Sequence, residues 1–115
     1  MAHTVDIRLR GTRPNPALEA CIRHWSEKLF EIDPRLEACH VTIEVPHRSR
    51  LRGRQHHVVI RLAVPGGHLV STWEPADGER SHLFAAVHAA FQRARRQLDE
   101  YLRRHTPAEG RRVAA

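Results

Sequence analysis

Val5, Ile7 and Leu9 alternate with Asp6, Arg8 and Arg10. A period of two over aliphatic and β-branched residues predicts a strand with one buried face. Gly11 ends it, and Thr12-Arg13-Pro14 leads to the next element. At Asn15-Pro16 the period changes. Asn can cap free N–H groups and Pro suits the first helical position, and Leu18, Cys21, Ile22, Trp25, Leu29 and Ile32 then follow at helical spacing. The spacing predicts a helix over about 16–32, closed by Asp33-Pro34 because a residue before proline avoids helical angles. Arg23, Glu27 and Lys28 fall on its polar side.

Alternation returns with Val41, Ile43 and Val45, predicting a second strand that Pro46 stops. A basic connector follows at 47–54. Val58, Ile60, Leu62 and Val64 mark a third strand, Pro65-Gly66-Gly67 a tight turn, and 68–73 a fourth strand paired with the third as a hairpin. Beyond a polar loop at 74–80, Ser81 is a candidate N-cap. Phe84, Val87, Phe91, Ala94, Leu98 and Tyr101, at steps of three and four, then predict an amphipathic helix to about Arg104. The tail 105–115 is small, polar and basic, and is expected to be disordered. The order is therefore β-α-β-β-β-α, with no repeat and no linker. Each strand has one apolar face and each helix one apolar stripe. The economical packing is an α+β domain over residues 1–104: a four-stranded sheet with two helices on one face, a dsRBD-like arrangement.

Composition narrows the function. A length of 115 residues suits one domain. No apolar run approaches the roughly 20 residues that span a bilayer, so no membrane partner is expected. The opening Met1-Ala2-His3-Thr4-Val5-Asp6 has no secretion-signal pattern, and the expected location is cytoplasmic. Lys and Arg number 19 against 13 Asp and Glu, a formal charge of +6. Only Lys28 is lysine. Arginine's planar fork binds phosphate at two points and stacks on bases. A GC-rich genome would explain the choice of arginine over lysine, but not the net charge. Basic proteins of this size meet nucleic acid more often than acidic membranes. Cys21 and Cys39 have no CxxC partner and read as free thiols, Cys21 as a core residue.

The last helix carries the most informative surface. At about 100° per residue, Arg96 and Arg103 lie opposite the apolar stripe, Arg93 and Arg104 on one shoulder, and Arg95 nearer the core on the other flank. Such arginines can contact phosphates without unfolding anything. The alternative is a solvated helix face in which Asp99 and Glu100 pair with the arginines. Arg48, Arg50, Arg52 and Arg54 in the 47–54 connector form a second basic cluster that could fold onto RNA, or simply keep a hairpin loop soluble. Two clusters on one small domain strengthen the RNA reading. The histidines do not form a metal site: no HExxH is present, His56 and His57 are neighbours on a strand and face opposite sides, and His82 and His88 are too far apart on the helix. His82 and His88 are instead candidates for RNA contact beside the arginines. No GxSxG, P-loop or GxGxxG occurs, so no enzyme, cofactor or small-molecule substrate is expected. Trp25 and Phe84 fit the core stripes, and Trp73 ends a strand.

The chain also resembles a known family. Ile7-Arg8-Leu9-Arg10-Gly11, Pro16-Ala17-Leu18 and Glu27-Lys28-Leu29 carry the resemblance at one end. Leu83-Phe84-Ala85-Ala86-Val87, Arg93 and Arg96-Gln97-Leu98 carry it at the other. These are similar to the ribosome hibernation-promoting factor and ribosome-associated inhibitor family, also called sigma-54 modulation or ribosomal subunit interface proteins, over about 6–104. The resemblance implies the element order already read from periodicity. It also implies binding to the small ribosomal subunit, against 16S rRNA in the channel between head and body. A protein there overlaps the messenger and transfer RNA sites and stops translation under stress. By position, Lys28, Arg93 and Arg96 match basic residues of the family, and Arg103 and Arg104 extend that surface. His82 and His88 stand where the family often has an acid, the loop 74–80 is longer than usual, and 47–54 is richer in arginine. Long members add a C-terminal dimerising domain that this sequence lacks, so pairing of ribosomes through it is not expected. Two other readings stay open: a general double-stranded RNA binder, and a protein-interaction or transcription-modulating module.

Overall fold

A computed structural model describes residues 3–45, 56–75 and 82–105. Its elements are β1 (Thr4–Arg10), α1 (Pro16–Ile32), β2 (Ala38–Glu44), β3 (His57–Val64), β4 (Gly67–Trp73) and α2 (Leu83–His105). This is the order the periodicities predict, with α2 reaching one residue further. The strands lie in the order β1-β2-β3-β4. β1 and β2 are parallel, which requires a crossover, and α1 supplies it. The other two pairings are antiparallel. The connector 47–54, residues 76–80 of the polar loop, Ser81 and the tail beyond His105 lie outside the described residues.

One sheet face is the core. Cys39, Val41 and Ile43 of β2 and Val58, Ile60, Leu62 and Val64 of β3 are buried against both helices. Val5, Ile7 and Leu9 of β1 share that face but are only partly buried, as suits an edge strand. α1 begins as expected: Asn15 Oδ1 accepts from the N–H groups of Ala17 and Leu18 at 3.0 and 3.2 Å. Its buried side is rotated from the one drawn from sequence. Leu18, Ile22, Ser26, Leu29 and Phe30 are buried, while Cys21, Trp25 and Ile32 are half-buried. A serine is tolerated there because its Oγ donates to the Ile22 carbonyl at 2.8 Å. In α2 the buried side is Ala86, Val87, Ala90, Phe91, Ala94 and Leu98. Phe84, expected in that stripe, is 45% exposed. By helical rotation it lies toward α1, well off the axis through Val87, Ala94 and Leu98.

Two turns depend on glycine. Pro65 and Gly66 join β3 to β4, and Gly66 takes φ 89°, the conformation of a type II turn's third residue. Gly11, with φ 77°, follows β1, and a Cβ at this position would run into the carbonyl oxygen of Val45. Gly11→Ala therefore combines an unfavourable φ with a clash against backbone, and should cost more than about 2 kcal/mol. Urea unfolding checks this; a change within about 0.5 kcal/mol would show that the end of β1 relaxes freely.

Burial also sets the chemistry of Cys39. Desolvation pushes its thiol up from 9.0 to about 11, opposed by the Ser26 hydroxyl, whose Oγ lies 3.4 Å from the sulfur. The folded state holds this proton more tightly than the unfolded chain does. The associated stability is whole below about pH 9 and is lost as pH rises through about 11. Full ionisation would remove roughly 2–3 kcal/mol. Between pH 7 and pH 10.5, wild type should lose more stability to urea than Cys39→Ala; equal losses would refute the assignment.

Candidate nucleic-acid interface

α2 divides by direction. Its buried side meets the sheet, and its other sides carry the charges. Toward β4, Arg93 Nη1 donates to the Thr72 carbonyl at 2.7 Å and Gln97 Nε2 to the Val70 carbonyl at 3.0 Å. β4 is an edge strand, so these side chains occupy carbonyls that would otherwise face solvent. Further along, Tyr101 Oη donates to the Pro65 carbonyl at 3.4 Å. The shoulder read from sequence is thus real, but one of Arg93's donors is already engaged. Arg104, on the same shoulder, pairs with Glu100 at 3.1 Å.

The outward side differs. Arg96 and Arg103 are exposed, lie two turns apart on one face, and have no hydrogen-bond or ion-pair partner among the described residues. Both border a shallow depression with Asp99, Glu100 and Leu102. Arg96 also borders the α2–β4 groove with Arg93, Gln97 and Glu100. Both nearby carboxylates are partly occupied, Glu100 by Arg104 and Asp99 by Arg95 at 3.9 Å. Such exposed pairs contribute little to stability. Arg95, expected nearer the core, is exposed, because its long side chain carries the guanidinium outward from the flank.

The remaining candidates are dispersed. Lys28 is exposed on α1 and has no partner among the described residues. His82 sits at the start of α2, where its carbonyl accepts the first helical hydrogen bond, from Ala86 N–H at 2.8 Å. His88 is turned toward α1 and not toward the arginines: its ring lies 4.9 Å from that of Trp25. Arg48, Arg50, Arg52 and Arg54 lie outside the described residues.

A further basic surface escaped the sequence reading. The sheet face away from the helices brings Arg8, Arg10, His40, Arg61 and His68 around Asp6. Asp6 pairs with Arg8 at 3.3 Å and lies 3.5 Å from His40 Nδ1. These positions were visible only as the polar half of each alternation. They converge because the register sets Asp6 beside His40 and His40 beside Arg61. Among the described residues no group of three His, Cys, Asp or Glu could hold a metal ion, and no helix is long and apolar enough to cross a membrane.

The sequence from 5 to 106 matches the family described as sigma 54 modulation protein / S30EA ribosomal protein. The chain belongs to this family. Solved structures agree on the fold of this S30EA protein. A ribosomal subunit interface protein from Coxiella burnetii superposes with a TM-score of 0.68 at 14% identity, covering 85% of this chain and 96% of that one. The N-terminal domain of Protein Y from Thermus thermophilus gives 0.66 at 18% identity, covering 87% and 99%. No curated protein sequence matches the chain. At these identities the fold is what the superpositions show to be shared.

Proposed function

We propose that this S30EA protein is a ribosome hibernation factor. It binds the small ribosomal subunit, against 16S rRNA in the messenger and transfer RNA channel, and stops translation by occupying that space. Family membership supports a ribosomal partner, and the structural relatives include a ribosomal subunit interface protein. The observation that carries the RNA contact is the pair Arg96 and Arg103, exposed and without a partner among the described residues, on a helix whose opposite side is packed into the core. A guanidinium not spent on an internal acid can replace a counterion on phosphate, and the packed helix beneath it sets where the side chain starts. Lys28 adds a cation from the same helical layer, and the remaining donors of Arg93 and Arg104 flank the pair. The connector with Arg48, Arg50, Arg52 and Arg54 is a secondary contact. The mechanism is steric and needs no cofactor.

A sucrose gradient with purified subunits tests this. The protein should travel with the small subunit and not the large one. Association should weaken steeply with salt, with a slope of roughly −0.7 to −0.9 per phosphate neutralised. Equal affinity for plain duplex RNA would instead identify a general double-stranded RNA binder.

A further inference from the structure

We infer that the crossing of α1 and α2 is a stacking platform for unpaired bases of the RNA whose phosphates Arg96 and Arg103 hold. This rests on the RNA reading above and adds a second kind of contact to it. The Trp25 indole is half-buried between the helices, with the His24 ring edge-on to it at 5.2 Å and the His88 ring tilted against it at 4.9 Å. Both imidazoles are exposed. Phe84 lies four residues before His88, one turn away on the same flank. It is one of two large hydrophobic side chains exposed among the described residues, and no ring covers it there. Four flat rings thus line one edge of the helical layer.

Charge decides what such a row can receive. The α1 carboxylates Glu27 and Glu31 border the opposite flank, in a groove with His3, Val5, Arg23 and Phe30. On the platform's own side stand Lys28, one turn beyond Trp25, and Arg95, two turns beyond His88. Asp99, one turn beyond Arg95, is paired with it. An apolar peptide would need an aliphatic groove and would gain nothing from those cations. A nucleotide uses both, with its base on a ring and its phosphate on a guanidinium or ammonium. Bases held this way are not read by sequence, because every base has a π-face. Single-stranded or splayed-out positions of a folded RNA are therefore the fit, and continuous duplex is not.

The test uses the full chain with purified small subunits, protein-free 16S rRNA and a short unstructured oligoribonucleotide. Phe84→Ala and the pair His24→Ala/His88→Ala should each weaken binding to all three by roughly tenfold and leave the salt slope unchanged, because stacking releases no counterions. Arg96→Gln/Arg103→Gln should instead make the slope shallower. In Trp73→Phe, Trp25 is the only indole, and its fluorescence should be quenched by the oligoribonucleotide. Wild-type affinity in both aromatic variants, with binding still lost in the arginine variant, overturns the platform and spares the RNA reading. A loss confined to whole subunits and absent on protein-free rRNA would assign this surface to a ribosomal protein, which also overturns it. If wild type binds none of the three, both readings fall together.

Discussion

Replacing Arg96 and Arg103 together by glutamate should weaken binding to the small subunit by roughly a hundredfold or more. A hydrogen bond to a charged group contributes about 1.5–3 kcal/mol, and each reversal adds repulsion from phosphate to the loss of that bond. Folding should survive. Neither side chain has an internal partner among the described residues, and exposed substitutions of this kind usually stay within about 0.5 kcal/mol. Arg103 is in the last turn of α2, where a cation favours the helix dipole, so its reversal costs a few tenths more. The melting temperature should fall by only a few degrees. Arg96→Gln/Arg103→Gln separates charge loss from charge reversal. Pairing Arg96 with Arg93 instead would confuse two effects, since Arg93 also ties α2 to the Thr72 carbonyl. Unchanged cosedimentation of the glutamate variant would remove this face from the interface.

The contrast between Arg93 and Arg103 shows what the sequence could and could not reveal. Helical rotation placed both correctly: Arg103 outward, Arg93 on a shoulder. Periodicity reports an angle around one axis, and every element was legible in that sense, from the alternation of β1 to the three-and-four stepping of α2. It does not report what lies across the gap. That Arg93 reaches a carbonyl of β4 depends on β4 being the strand beneath α2's outer edge, which is a property of the sheet order. The misplacement of Phe84 has the same origin. Its spacing fits a stripe, but small residues at Ala86 and Ala90 let the helix rest on a different side, and size matters where a helix approaches a sheet. Ser26 was passed over because a serine inside an apolar pattern looks like a solvent position until its bond to the Ile22 carbonyl is known. The cluster around Asp6 needed the register of three strands before its members could be seen as neighbours. The outward direction of Arg96 and Arg103 was readable because it answers to one helix alone.

That dependence on one helix makes Leu98 the most informative core position. It is fully buried, and it lies between Arg96 and Arg103 along α2. Leu98→Ala should cost about 2–5 kcal/mol through lost burial and the cavity left behind. For a domain of this size, that lowers the melting temperature by roughly 10–30 °C. Most helical stability in a protein comes from packing of the amphipathic face, so the cost falls on the element that presents the arginines. In the cold, where most of the variant is still folded, the proposed phosphate contacts should be intact. Binding to the small subunit should then weaken only by the fraction of protein that is unfolded, with the same salt slope as wild type. Calorimetry and gradients run at low temperature check the two halves separately. A shallower slope in folded Leu98→Ala would mean that the guanidinium groups need the exact pitch of a fully packed helix, and α2 would then be a positioning device as well as a carrier of charge. An unchanged slope beside a large thermal loss would show that the packing of α2 governs how much protein is competent, and the arginines govern how tightly it binds.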